Sequence, residues 1–392
     1  MRARSTAGLE ITLDDGRVLL DGIASWWTAC HGYNHPHISD RVSQQLARMP
    51  HVMFGGLSHA PAEELAERLA NLLPGDLNHV FFADSGSVSV EVAMKMAAQY
   101  FLNAGIKGRQ KFLAFRGGYP GDTFATMSVC DPDEGMHRLF GTMLASQIIC
   151  DLPRDEASIK EFENALAQHA ESIAAIIVEP LVQGAGGMVF HSPHVLQTLR
   201  RAADRHGILL IFDEIFTGFG RTGTMFACEA ANVVPDIITL SKALTGGTMA
   251  LSAAVARSHV FERFLSPDPM HALMHGPTFM ANPLACSAAL GSLDLFVQEP
   301  RLSQVARISQ WLQTALAPCR EFAGVVDVRV MGAIGVVQLA EIADMNALKS
   351  RLIAQNLWVR PFRDIVYVTP AFTANEEQIA RLGQGIFAAL SV

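Results

Sequence analysis

The stretch Ile208-Leu209-Leu210-Ile211-Phe212-Asp213-Glu214 is an unbroken apolar run that ends on two carboxylates. A run that is apolar at every position, rather than at every second one, reads as a strand buried on both faces, as in a parallel sheet covered by helices. Similar runs stand on either side of it, at Phe112–Phe115, Ala174–Val178 and Ile237–Leu240, separated by helical patterns such as Ile159–His169 and Pro193–His206. Strands alternating with helices define the α/β class, with a largely parallel sheet and helices on both faces. Further out, Pro61–Leu73 and Val88–Phe101 place apolar residues at helical spacing, and Glu10–Leu13 with Val18–Leu20 around Asp14-Asp15-Gly16 predicts a β-hairpin. Beyond Asn282 the pattern predicts a long helix to about Val297 and another over Ser303–Leu316. Short strands at Val325–Val330, Gly335–Gln338 and Val366–Val368 and a closing helix over Glu376–Leu390 follow. This tail reads as a smaller α+β lobe, and with no repeat or linker between them the lobes are expected to pack together.

Composition narrows the function. The chain has 392 residues, 50% hydrophobic and 17% charged, with a net charge of −8. It is too apolar for disorder and has no positive field to draw nucleic acid or anionic lipid. A positive mean hydropathy of +0.23 suggests apolar surface covered in an oligomer. The six cysteines, at 30, 130, 150, 228, 286 and 319, form no CxxC pair, so reduced thiols in a cytoplasmic setting are expected and a cysteine-held metal is not. The opening MRARSTAGLEITLDDGR lacks the apolar core of a secretory signal. No apolar run approaches the roughly 18 to 20 residues a membrane span needs.

In open α/β sheets ligands gather beyond the carboxyl ends of the strands. At one such end, Phe81-Phe82-Ala83-Asp84-Ser85-Gly86-Ser87 runs into a helix, whose free N–H groups and dipole could cradle a phosphate. Taken alone, an ordinary serine cap explains the same residues. At another, Asp213 ends a buried strand, where a carboxylate needs a cation. At a third, Pro235-Asp236-Ile237-Ile238-Thr239-Leu240-Ser241-Lys242 puts an amine at a strand end, where burial can lower its pKa and make it a nucleophile toward an aldehyde. Anion cradle, buried carboxylate and strand-end lysine together match the phosphate, ring nitrogen and aldehyde of pyridoxal phosphate. Gly218-Phe219-Gly220-Arg221-Thr222-Gly223 fits the dinucleotide fingerprint G-x-G-x-x-G, but no sustained helical face follows it and its acidic pair comes before the glycines. It reads as a loop.

Asp213-Glu214-Ile215 with Thr217–Gly223, then Ser241-Lys242-Ala243-Leu244-Thr245-Gly246-Gly247, resembles the class III pyridoxal-phosphate aminotransferases of fold type I, over nearly the whole chain from Leu9. Ser25-Trp26-Trp27, His31–Pro36, His51–Gly56, Ala83–Ser87, Met274–Phe279 and Val359-Arg360-Pro361-Phe362 narrow the likeness. They resemble the branch that aminates 8-amino-7-oxononanoate in biotin synthesis with S-adenosylmethionine, or in some members lysine, as donor. Another branch acting on long-chain amines would fit the cofactor residues equally well.

The resemblance implies a small domain built from both chain ends, residues 1–46 and 298–392, around a large cofactor-binding domain at 47–297. It implies that Lys242 bonds the cofactor, Asp213 pairs with the ring nitrogen and Tyr119 stacks on the ring. Ser85, Gly86 and Ser87 would hold the phosphate and Gln183 would reach the phenolic oxygen. Gly276-Pro277-Thr278 would reach the phosphate and substrate of the neighbouring subunit, so a homodimer is expected. Trp26, Trp27, Tyr119, Asp122 and Arg360 would shape the substrate pocket, with Arg360 on a carboxylate and Arg221 in a supporting role. Two departures stand out. Pro120 replaces a common His, and the sequence opens past a His-Pro-Tyr-Thr-like stretch whose tyrosine lines the site in the family. One pocket wall is therefore expected to be incomplete, with activity reduced, or to be filled by another residue.

Overall fold

The computed structural model of the chain describes residues 1–133 and 136–391. Its centre is a seven-stranded sheet in the spatial order Leu77–Ala83, Ser252–Arg257, Ile237–Leu240, Leu209–Asp213, Ile173–Val178, Lys111–Phe115, Ile148–Cys150. Only Ser252–Arg257 runs against its neighbours; the others are parallel to one another. The three central strands are buried at every position, which is why they show no alternation in sequence. Alternate residues nonetheless serve opposite faces. Ile176, Leu210 and Phe212 join one apolar cluster, while Ile177, Ile211 and Ile237 join another with Val90, Ala93 and Ala97 of the helix Gly86–Asn103.

Both chain ends contribute to the remaining sheets. Ala3–Ala7, Glu10–Leu13 and Val18–Asp21 form a meander to which Leu357–Trp358 adds in parallel, with Leu357 opposite Leu20. The expected hairpin is its second pair; the strand Ala3–Ala7 was not signalled, being exposed along most of its length. An antiparallel sheet of Val325–Met331, Ile334–Leu339 and Ile365–Val368 packs with the helices Arg301–Leu316 and Glu376–Leu390. The G-x-G-x-x-G match is a run of turns, and the first helix after it, Ala227–Ala231, is five residues long. Arg221 within it is buried and donates to the carbonyls of Ala333 (3.1 Å) and Pro370 (2.7 Å), pinning the loop to the C-terminal part of the chain. No described helix is long and apolar enough to cross a membrane.

Candidate active site

Register brings the strand ends together. Asp213 pairs with Thr239 on one side, and Phe212 with Val178 on the other, so Asp213 ends the middle of three neighbouring strands and Lys242 and Glu179 follow the other two. They line one cavity of about 200 Å³ with Ser85, Gly86, Ser87, Tyr119, Pro120, Gly121, Asp122 and Trp27. The pleat divides the acidic pair. Asp213 faces the cavity, its Oδ1 accepting from Ile215 N–H (3.0 Å) and Thr239 Oγ1 (3.2 Å). Glu214 turns away and takes the N–H groups of Ala227 and Cys228, both at 2.8 Å, at the start of the next helix.

The cavity's charges are buried, and burial shifts each of them. Burial pushes the Asp213 carboxyl up to about 6, against its hydrogen bond from Ile215 and the nearby Lys242. Burial likewise pushes Glu179 up to about 8, with the Asp213 charge adding to it. Lys242 is lowered to about 8 by burial, which Asp213 and Glu179 oppose. Glu179 is a residue the sequence reading passed over, although it ends the apolar strand Ile173–Val178 just as Asp213 ends its own. It braces the loop beneath the site, accepting from Tyr119 N–H (2.9 Å) and Gly184 N–H (3.0 Å).

The cradle at Ser85 is formed by the helix Gly86–Asn103, whose cap is the Ser85 side chain accepting from Val88 N–H. Ser87 Oγ accepts from Asp122 N–H at 2.9 Å, tying the helix start to the Tyr119 loop. Gly121 has φ +154°, and a Cβ there would fall 2.5 Å from Ser87 Oγ, so only glycine fits this approach. The Tyr119 hydroxyl donates to Asp122, and Pro120 leaves Tyr119 at the cavity.

Trp26 and Trp27 reach the site by an unusual route. Ala24, Ser25, Trp26 and Trp27 all have positive φ, between 45° and 72°, a left-handed turn without a glycine. Such backbone costs about 1–2 kcal/mol per residue. Buried Asp21 holds it, accepting from Ile23 N–H (2.8 Å), Ser25 N–H (2.9 Å) and the Tyr33 hydroxyl (2.5 Å), which also bonds Ser25 Oγ (2.6 Å). Lys242 Nζ then lies 4.3 Å over the Trp27 ring. An outer cavity of about 500 Å³ opens from Lys242 between Trp26, Trp27, Phe362 and Tyr367 and reaches Arg360, whose guanidinium sits 5.0 Å from the Trp26 ring.

Two other groups lie outside the main cavity. Gln183 borders a small adjoining cavity rather than the main one, and its amide donates to the Arg116 carbonyl (2.7 Å). Gly276, Pro277 and Thr278 lie on the surface, outside the cavity of their own chain.

The residues fit pyridoxal phosphate. Among the described residues Lys242, Asp213 and Glu179 are in no ion pair, though they share a buried cavity. Buried charges held apart leave room for a group cationic at one edge and electrophilic at another, with a phosphate at the helix start. Among the described residues no cluster could hold a metal.

The family model for aminotransferase class-III matches residues 2–390, and the chain belongs to that family of pyridoxal-phosphate enzymes. It is 46% identical to adenosylmethionine-8-amino-7-oxononanoate aminotransferase of Mycobacterium leprae, over 94% of this chain and 85% of that one. The enzyme of the same name from Corynebacterium glutamicum is 43% identical, over 98% and 92%. Among solved structures, the enzyme of that name from Methanocaldococcus jannaschii superposes with a TM-score of 0.95 at 28% identity, covering 100% and 92%. An amine transaminase from an uncultivated Pseudomonas species in its PLP-bound form gives 0.94 at 30% identity, covering 100% and 94%. The fold is thus that of the pyridoxal-phosphate transaminases, and the chain is an aminotransferase.

Proposed function

We propose that the chain transfers an amino group from S-adenosylmethionine to 8-amino-7-oxononanoate, giving 7,8-diaminononanoate in biotin synthesis. The observation that carries this reading is the outer cavity, an apolar and aromatic passage from Lys242 to Arg360 suited to an aliphatic chain ending in a carboxylate. The relatives bearing that activity in their names, at 43% and 46% identity, support it over the amine transaminase at 30%.

Pyridoxal phosphate, when bound, supplies the electron sink for the charge left as the α-proton departs. The chain's own residues do the rest. Ser85, Gly86 and Ser87 hold the phosphate at the helix start. Asp213, ionised, keeps a proton on the ring nitrogen; a cation opposite it brings the carboxyl back down from about 6. With the cofactor bound, Lys242 would take the proton from the donor's α-carbon and return it to the cofactor carbon that was the aldehyde, a task suited to an amine lowered to about 8. Tyr119, anchored on Asp122, covers the ring. Trp26 and Trp27 exclude water along the acceptor chain, and Arg360 holds its carboxylate with a planar fork.

The active unit in this reading is a homodimer, with Gly276-Pro277-Thr278 of each protomer completing the other's site. The exposed Met270, Met274 and Phe279 around that segment support it. Six free, buried cysteines support a cytoplasmic setting.

The test is direct. Supplied with pyridoxal phosphate, S-adenosylmethionine and 8-amino-7-oxononanoate, the protein yields 7,8-diaminononanoate by mass spectrometry, and Lys242→Ala yields none. Absence of the diamine from the wild type, or undiminished turnover by the variant, overturns the reading.

A further inference from the structure

The outer cavity carries a second cation to which the mechanism above gives no role. Lys349 lies on the helix Met345–Ala354, which leads through Leu357–Trp358 into Arg360, so one helix–strand unit brings both cations to the wall of the same cavity. Leu348 and Leu352 bury one side of that helix and leave Lys349 half-buried at the cavity. Among the described residues neither Lys349 nor Arg360 is in an ion pair or donates a hydrogen bond, and Arg360 rests on the Trp26 ring. The carboxylate that lines this cavity, Asp122, accepts the Tyr119 hydroxyl. Two cations with no counter-ion among the described residues, at one end of an apolar passage, are a charge arrangement that an anion relieves.

We propose that Lys349 is a specificity-determining residue, making a second contact to the terminal carboxylate of the aliphatic substrate alongside Arg360. This deepens the substrate reading above and rests on it. With two cations on one carboxylate, the pocket prefers an acid to its neutral amide by more than Arg360 alone would give.

The test uses the full chain loaded with pyridoxal phosphate, with nonanoate and nonanamide as unreactive probes followed by tryptophan fluorescence. Lys349→Met weakens nonanoate binding about five- to tenfold and leaves nonanamide unchanged, while Lys349→Arg keeps most of the preference. In turnover, Lys349→Met raises KM for 8-amino-7-oxononanoate by a similar factor with kcat nearly unchanged. Nonanoate binding equal to wild type in Lys349→Met, equal losses for acid and amide, or no nonanoate binding by the wild type overturns the proposal. The wild type's own amination of 8-amino-7-oxononanoate separates the two claims. Its failure sinks the substrate reading, whereas normal wild-type turnover with an indifferent Lys349→Met sinks only the role of Lys349.

Discussion

Lys242 has φ +46°, a left-handed backbone unusual for a long side chain. The strain is held from behind: Ser292 Oγ donates to the Ala243 carbonyl (3.1 Å) and pairs with His31 Nε2 (3.0 Å), whose Nδ1 accepts from the buried Arg301 (3.0 Å). Burial lowers the Lys242 ammonium to about 8, so the neutral amine that attacks an aldehyde grows with pH up to that value. The rate of pyridoxal phosphate capture, followed by absorbance, should therefore rise about tenfold per pH unit below 8 and level off above it. A flat profile between pH 6 and 9 contradicts a buried lysine nucleophile. Lys242 and Asp213 were legible in the sequence because, together with the anion cradle at Ser85–Ser87, they match the aldehyde, ring nitrogen and phosphate of one cofactor, whereas a lone strand-end lysine ordinarily snorkels to solvent. Glu179 also follows a buried strand, but its hold on the Tyr119 loop exists only once Gly117–Asp122 folds back over the neighbouring strand end.

The left-handed turn at Ala24–Trp27 shows what lies beyond sequence reading. Nothing in Ser25-Trp26-Trp27 signals positive φ, since bulky residues avoid it; what makes it tenable is Asp21 and Tyr33, one on each side along the chain. Burial raises the Asp21 carboxyl, while the bonds from Tyr33 and the backbone of Ile23 and Ser25 pull the other way. Tyr33→Phe removes one donor without opening a cavity, and about 1 kcal/mol of support for the turn goes with it. KM for the acceptor should rise several-fold with a smaller change in kcat, accompanied by a shift in tryptophan emission. Wild-type KM and emission in that variant would show that the turn holds itself. By contrast the helix Glu376–Leu390 was read to the residue, because its apolar spacing acts locally, and the structure caps it with the Asn375 side chain.

At the scale of the molecule, the alternation of strands and helices was readable because it follows from burial on both sheet faces. The antiparallel strand Ser252–Arg257 was not, because its SAAVAR sequence carries little strand preference and is set by its place between two neighbours. Gly276-Pro277-Thr278 stands outside its own cavity, which agrees with a role toward a neighbouring subunit that only the resemblance suggested. If these residues serve a partner, the protein sediments at twice the 42.4 kDa chain mass. Mixing Lys242→Ala with an inactive Thr278 variant then restores part of the activity, because one site of the mixed dimer has both intact residues. A monomeric protein that is fully active contradicts the shared site.

The most direct test of the account is the absorption spectrum of the cofactor-loaded protein during addition of S-adenosylmethionine, lysine and alanine in turn, without acceptor. The account predicts that S-adenosylmethionine alone bleaches the visible band of the lysine-bound cofactor, and that 8-amino-7-oxononanoate then restores it. A bound cofactor whose spectrum no amine changes would contradict it, leaving a protein that holds pyridoxal phosphate without transferring amines.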